Sequence, residues 1–191
     1  MNLKLSERIN KIIPRIESKE FLESKGLGNE IAIYIFDYSP VYELEMRSQI
    51  EFIIKQVEKK QSHIKIAHVN LFKLIIAYLK NRGLLDRALK LQKEKGDKAL
   101  YKALSGPLNE EKIAKEFIEA AQPDNNDIIF MSGIGNAWPI LRSHTLLNNL
   151  HPHMQGKPLV VFYPGVYDGQ GLSLFGKLKD NNYYRAFQLA P

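Results

Sequence analysis

The residues able to do chemistry fall mainly at the ends of short apolar runs. Asp37, Asn70, the turn Ser132-Gly133-Ile134-Gly135 and Pro164-Gly165 each follow such a run. In an open parallel sheet, ligands sit outside the carboxyl ends of the strands. The Gly133–Gly135 turn therefore resembles half of a phosphate cradle, because free N–H groups at a helix N-terminus attract anions. It lacks the Lys-Ser/Thr of a P-loop, and position 138 is Trp where a dinucleotide fingerprint needs a third glycine. Two glycines in a strand-to-helix turn usually serve backbone geometry, and that is the expectation for Gly133 and Gly135.

The five histidines are His63, His68, His144, His151 and His153. His151-Pro152-His153 has metal-like spacing but no adjacent carboxylate or cysteine, a poor ligand set. No metal and no cofactor are expected. His144 and Asn148 lie four apart on one helical face, where a side-chain hydrogen bond is possible, with Arg142, Thr145 and Asn149 on another. Such a polar helix beside a strand end can bind a ligand, or tie the sheet to the tail through buried hydrogen bonds. There is no Gly-x-Ser-x-Gly elbow, and neither Ser132 nor Ser143 has an evident base and orienter. The carboxylates Asp37, Asp168 and Asp180 are scattered in sequence. With no complete catalytic constellation, the expectation is a binding protein and not an enzyme.

Charge is segregated along the chain. Lys73, Lys80, Arg82, Arg87, Lys90, Lys93, Lys95, Lys98 and Lys102 face only Asp86, Glu94 and Asp97, whereas residues 110–127 carry six acids against two lysines. Arg82, Arg87, Lys90 and Lys93 are candidates for phosphate contact, with DNA as the ligand, although a solvated helical face is the plainer reading. The tail between Phe162 and Phe187 interleaves aromatics with Lys177, Lys179 and Arg185. That pattern can stack on single-stranded nucleic acid; more often such aromatics anchor a glycine-rich tail onto the core.

These residues must be positioned by alternating helices and strands. Leu5, Ile9, Ile12, Ile13 and Ile16 predict an opening amphipathic helix broken or kinked at Pro14. Ser18 caps a short second helix ending near Gly26 or Gly28. Strands are expected at 31–36, 64–69, 127–131 and 158–163, the first a short, nearly continuous apolar run suited to burial on both faces. Ser39-Pro40 opens a helix to about Lys60. Asn70 caps the next helix, Gly83 stops it, Gly96 closes another, and Asn109 caps a helix striped by Ile113, Phe117 and Ala121. A helix from Asn136 to about Leu150 is expected to tolerate Pro139 in its first turn. Residues 184–189 supply a possible last strand. The fold class is α/β: a mostly parallel four- to five-stranded sheet covered on both faces, in one domain spanning 1–191, with a helical insertion over 70–122 between strands two and three.

Length and composition agree. The chain has 191 residues, 45% hydrophobic and 25% charged, a net charge of +6 and no cysteine. The missing cysteines exclude disulfides and thiolate chemistry and fit a reducing compartment. The N-terminus has no signal-peptide core, and no stretch reaches the roughly 20 apolar residues of a membrane span. A cytoplasmic protein with no membrane partner is expected.

Two blocks resemble a known family. Trp138-Pro139-Ile140-Leu141-Arg142-Ser143-His144-Thr145-Leu146-Leu147-Asn148-Asn149-Leu150, and the stretch from Pro158 to Phe187 closing on Lys179-Asp180-Asn181-Asn182-Tyr183-Tyr184-Arg185-Ala186-Phe187, look like the BrxB family. Ile31 to Arg47, with Pro40 and Glu43-Leu44-Glu45, fits as well. The resemblance implies a component of a bacterial BREX system, which protects against phage while methylating host DNA. It implies other BREX components as partners, with the PglZ-type alkaline-phosphatase-like protein preferred. The family supplies no catalytic residues to carry over. Gly133, Gly135, Arg142, His144, Asp180, Asn181, Asn182, Tyr183 and Arg185 are accordingly named as a binding surface. A protein–protein adaptor is the leading expectation, against a nucleic-acid-binding module or a nucleotide-binding α/β protein.

Overall fold

Apolar runs that alternate with amphipathic helices leave the chain one economical solution, a sheet buried on both faces. The structure, a computed structural model, describes residues 3–23, 32–60, 63–179 and 186–191. Five strands run parallel in the order β2 (Ile66–Asn70), β3 (Ile128–Ser132), β4 (Leu159–Tyr167), β1 (Ile33–Tyr38) and β7 (Phe187–Gln188). β5 (Leu172–Leu174) and β6 (Leu178–Lys179) extend β4 as an antiparallel ribbon. The mostly parallel α/β sheet matches expectation, and the ribbon is an addition that the sequence did not announce.

Alternate side chains of each strand enter different cores. Tyr34, Phe36, Ile128, Phe130, Val160 and Phe162 pack with α1 (Leu3–Asn10), α2 (Ile12–Ile16), α3 (Lys19–Leu22) and α4 (Glu43–Lys60). Ile33, Ile35, Ile129, Met131, Leu159 and Val161 pack with α5 (Leu71–Asn81), α6 (Leu85–Leu104), α7 (Glu110–Ala121), α8 (Ile134–Ala137) and α9 (Ser143–Leu150). Three helices thus separate β2 from β3, as the helical stretch over 70–122 predicts.

Three of the expected N-caps form. Ser18 accepts from the Phe21 N–H at 3.3 Å, Asn70 from Lys73 at 3.1 Å and Asn109 from Lys112 at 3.0 Å. Gly96 breaks α6 with φ 76° and ψ −179°. The expected stop at Gly26 or Gly28 lies outside the described residues; α3 itself closes at Leu22.

Three expectations are corrected. The helix placed at 136–150 is two helices, α8 and α9, because a residue before proline is driven from helical to extended backbone; Trp138 has φ −72° and ψ 140°, and its peptide bond to Pro139 is cis. Ser39 makes no side-chain cap, and Pro40–Tyr42 form a 3-10 turn ahead of α4. Pro164-Gly165 does not end the fourth strand. β4 runs on to Tyr167, with Pro164 pairing with Tyr38 on one side while its carbonyl accepts from Phe175 at 2.9 Å. Gly165 permits this, since a Cβ there would run into the Ser173 carbonyl oxygen.

Candidate functional site

Every parallel strand delivers its last residue to one edge of the sheet, and that edge holds most of the chemistry. α4 follows β1 on one face, while α5 and α8 follow β2 and β3 on the other. Chain departing on opposite faces opens a crevice at such an edge. Here the β4–β5–β6 ribbon stands in it.

The Gly133–Gly135 turn is filled by protein. Gly133 takes a left-handed conformation, φ 75° and ψ 16°, and a Cβ on it would lie 2.5 Å from Asn70 Oδ1. A Cβ on Gly135 would lie 2.9 Å from the Phe175 ring and 3.0 Å from Pro164. Both glycines permit close approach, as the geometric reading holds, and the room that a phosphate would need is occupied. α8, with four residues, offers little dipole.

Beside the turn, Ser132 is buried and hydrogen-bonded twice. Its Oγ lies 2.8 Å from His68 Nε2 and accepts from Asn70 Nδ2 at 3.3 Å. The two interactions are mutually consistent if the hydroxyl accepts from Asn70 and donates to a neutral imidazole. Partial burial, reinforced by Lys73, lowers the His68 pKa and favours that neutral form. The sequence showed no base for Ser132; the β2–β3 register provides one. Among the described residues, the acid that influences His68 is Glu51, which acts against the lowering. Asn70 also caps α5, so the cluster ties two strand ends to a helix start.

Of the scattered carboxylates, the two that are described, Asp37 and Asp168, are engaged structurally. Asp37 pairs with Arg8 at 2.7 Å and accepts from the Tyr167 N–H at 3.2 Å. Asp168 accepts from the Gly171 and Gln170 amides at 2.7 and 3.0 Å, and those bonds hold its pKa below the usual carboxylate range. Tyr38 donates to Glu43 at 2.6 Å, and burial followed by that carboxylate raises its pKa. Glu43 pairs in turn with Arg47, which donates to Asn136 at 2.9 Å, linking α4 to α8.

A pocket of about 260 Å³ opens beside this edge, at the start of α9. Arg142, Ser143, His144 and Lys179 supply its polar wall, and Trp138, Leu174 and Leu178 its apolar one, with Tyr163 beneath. Trp138 meets Phe175 edge-on, centroids 6.3 Å apart, yet remains 45% exposed. His144 Nε2 lies 3.2 Å from Thr145 Oγ1, and Asn149 donates to the Thr145 carbonyl at 2.8 Å. Val41, Leu44, Trp138, Val166 and Leu178 are five of the eight exposed large apolar residues among those described, the others being Phe52, Leu89 and Tyr101. All five follow or extend the carboxyl end of a strand.

Of the residues that the sequence singled out, Arg142 and His144 line one pocket and Gly133 and Gly135 lie in the turn beside it. Asp180, Asn181, Asn182, Tyr183 and Arg185 lie outside the described residues. Arg87, Lys90 and Lys93 are exposed on α6, Lys90 pairing with Glu94 at 3.9 Å, while Arg82 stacks over Tyr78. His151 and His153 are exposed, and no metal-binding group of three side chains exists among the described residues. Nor, among them, is any helix long and apolar enough to cross a membrane. Sequence reasoning did not place His68, Trp138 or Lys179 at this edge. The alternation of His68 and Asn70 on one strand was the available signal for the first.

Comparison with known proteins fits this arrangement. The model of the family described as "BREX protein BrxB" matches residues 67–189. The chain is 42% identical over 190 residues to a BREX protein BrxB of Bacillus cereus (strain H3081.97), covering 97% of each chain. It is 39% identical over 187 residues to a BREX protein BrxB of Escherichia coli O9:H4 (strain HS), covering 98% of this chain and 92% of that one. No solved structure matches. With the family model spanning both distinctive blocks and the relatives aligned over nearly the whole chain, the protein belongs to the BrxB family of BREX proteins.

Proposed function

We propose that the protein is a non-catalytic adaptor of a BREX anti-phage assembly and that it docks its partner through the carboxyl edge of the sheet. The PglZ-type alkaline-phosphatase-like subunit is the preferred partner. The observation that carries this reading is the gathering of Val41, Leu44, Trp138, Val166 and Leu178 at one edge. Scattered apolar side chains need no explanation, whereas several exposed at one end of a sheet suit an interaction surface. The Ser132–His68 contact is read as a lock between strand ends, because the hydroxyl is buried and already doubly bonded.

Co-expression with each BREX component, followed by size exclusion, tests the proposal. A stable complex is expected, and Leu44→Asp should abolish it while leaving the melting temperature of the free chain unchanged. Independent elution from every component overturns the adaptor reading.

One observation favours a second reading. Arg87, Lys90, Lys93, Lys95, Lys98 and Lys102 are all exposed along α6, a basic run able to meet DNA phosphates. Binding of that kind weakens steeply with salt. A weak, flat titration of duplex and single-stranded DNA at low salt would exclude it.

A further inference from the structure

We propose that the pocket at the start of α9 is a receptor for a carboxylate side chain of the partner protein, presented next to an apolar residue. The proposal rests on the adaptor reading and specifies what the docking edge recognises. Arg142 and Lys179 both line the pocket, both are exposed, and neither side chain has a hydrogen bond or ion pair among the described residues. Ser143 and His144 add polar groups between them, and no described lining residue is acidic. Lys179 also influences Asp168, but that carboxylate is held by the Gly171 and Gln170 amides. Among the described residues the pocket is therefore a cationic recess without a compensating acid, and a planar guanidinium there suits a carboxylate held by two parallel hydrogen bonds.

Size and lining narrow the ligand further. Small-molecule sites enclose roughly 300–1,000 Å³, and this recess of about 260 Å³ falls below them. It fits one acidic side chain with part of its neighbour better than a nucleotide. Trp138 and Leu178, exposed on the rim at 45% and 38%, give that neighbour an apolar surface continuous with the docking edge. Trp and Arg are the side chains on which interface energy concentrates, and here they stand four residues apart on one pocket.

The test is titration calorimetry between the full chain and each purified BREX component, using Arg142→Glu, Trp138→Ala and Lys55→Glu. Lys55, exposed on α4 and outside the pocket, controls for net charge. Arg142→Glu and Trp138→Ala should each weaken binding about thirtyfold or more, with Lys55→Glu close to the wild type. An Asp or Glu to Lys substitution on the partner should then restore binding to Arg142→Glu. Where a variant melts early, Arg142→Gln and Trp138→Leu replace it. If the wild type binds a component and the Arg142 variants bind equally well, or Lys55→Glu weakens binding as much, the receptor is overturned and the adaptor stands. If the wild type binds no component, both fall.

Discussion

Replacing Arg8 by Ala removes a side chain that makes three hydrogen bonds and a ring contact at the carboxyl edge. Its guanidinium bonds Asp37 Oδ1 at 2.7 Å, the Asp37 carbonyl at 2.8 Å and the Ala190 carbonyl at 2.8 Å, and it stacks 4.8 Å above the Phe36 ring. The paired side chains are 16% and 13% exposed, so this is not a solvated surface pair worth about 0–1 kcal/mol. Breaking a buried pair costs about 3–5 kcal/mol, because a charge is left uncompensated. Asp37 would keep the Tyr167 amide at 3.2 Å and Gln188 at 3.4 Å, which favours the lower end, about 3 kcal/mol. With a urea slope of about 2 kcal/mol per molar, the midpoint should fall by about 1.5 M. Asp37→Asn should cost less, since Arg8 retains two carbonyl acceptors, and the double variant should cost at least about 1 kcal/mol less than the sum. Urea melts of the four proteins complete the cycle. A shift below about 0.3 M for Arg8→Ala, or simple additivity, would refute the claim that this pair clamps the N-terminal helix and the C-terminus to β1.

Gly133→Ala should destabilise by about 2–3 kcal/mol, combining left-handed strain of about 1–2 kcal/mol with the loss of about 1 kcal/mol from a displaced Asn70 cap. Gly83→Ala, also at positive φ but with nothing within 4 Å, should cost about 1 kcal/mol less; equal costs in chemical denaturation would disprove the clash. His68 has a folded-state pKa below its ordinary 6.5, so its protonation is easier in the unfolded chain. Its contribution to stability is complete above pH 6.5 and is lost as pH falls through the lower folded value. His68→Gln should flatten the fall in urea midpoint below pH 6.5, and an unchanged slope would contradict the neutral-imidazole assignment.

The sequence by itself determined what depends on near neighbours. Ser18, Asn70 and Asn109 cap helices because an oxygen there reaches an amide three residues on, whatever surrounds it. Gly83 and Gly96 end or break helices at positive φ for an equally local reason. Apolar runs at 31–36, 64–69, 127–131 and 158–163 marked the strands that form at Ile33–Tyr38, Ile66–Asn70, Ile128–Ser132 and Leu159–Tyr167. Proline was misjudged twice, because its effect depends on what lies alongside: Pro164 remains in β4 where Tyr38 pairs with it, and Pro139 separates two helices.

Only the tertiary structure decided what meets at the carboxyl edge. The order β2-β3-β4-β1-β7 sets His68 opposite Phe130 and Asn70 opposite Ser132, bringing imidazole, amide and hydroxyl together from positions 62–64 residues apart. Arg8 reaches Ala190 across 182 residues. Lys179 reaches the Arg142 pocket because the ribbon after Tyr167 folds back over it. Strand order and register are collective outcomes of two opposed cores, and no window of residues encodes them, whereas caps and breaks are written within a single helical turn.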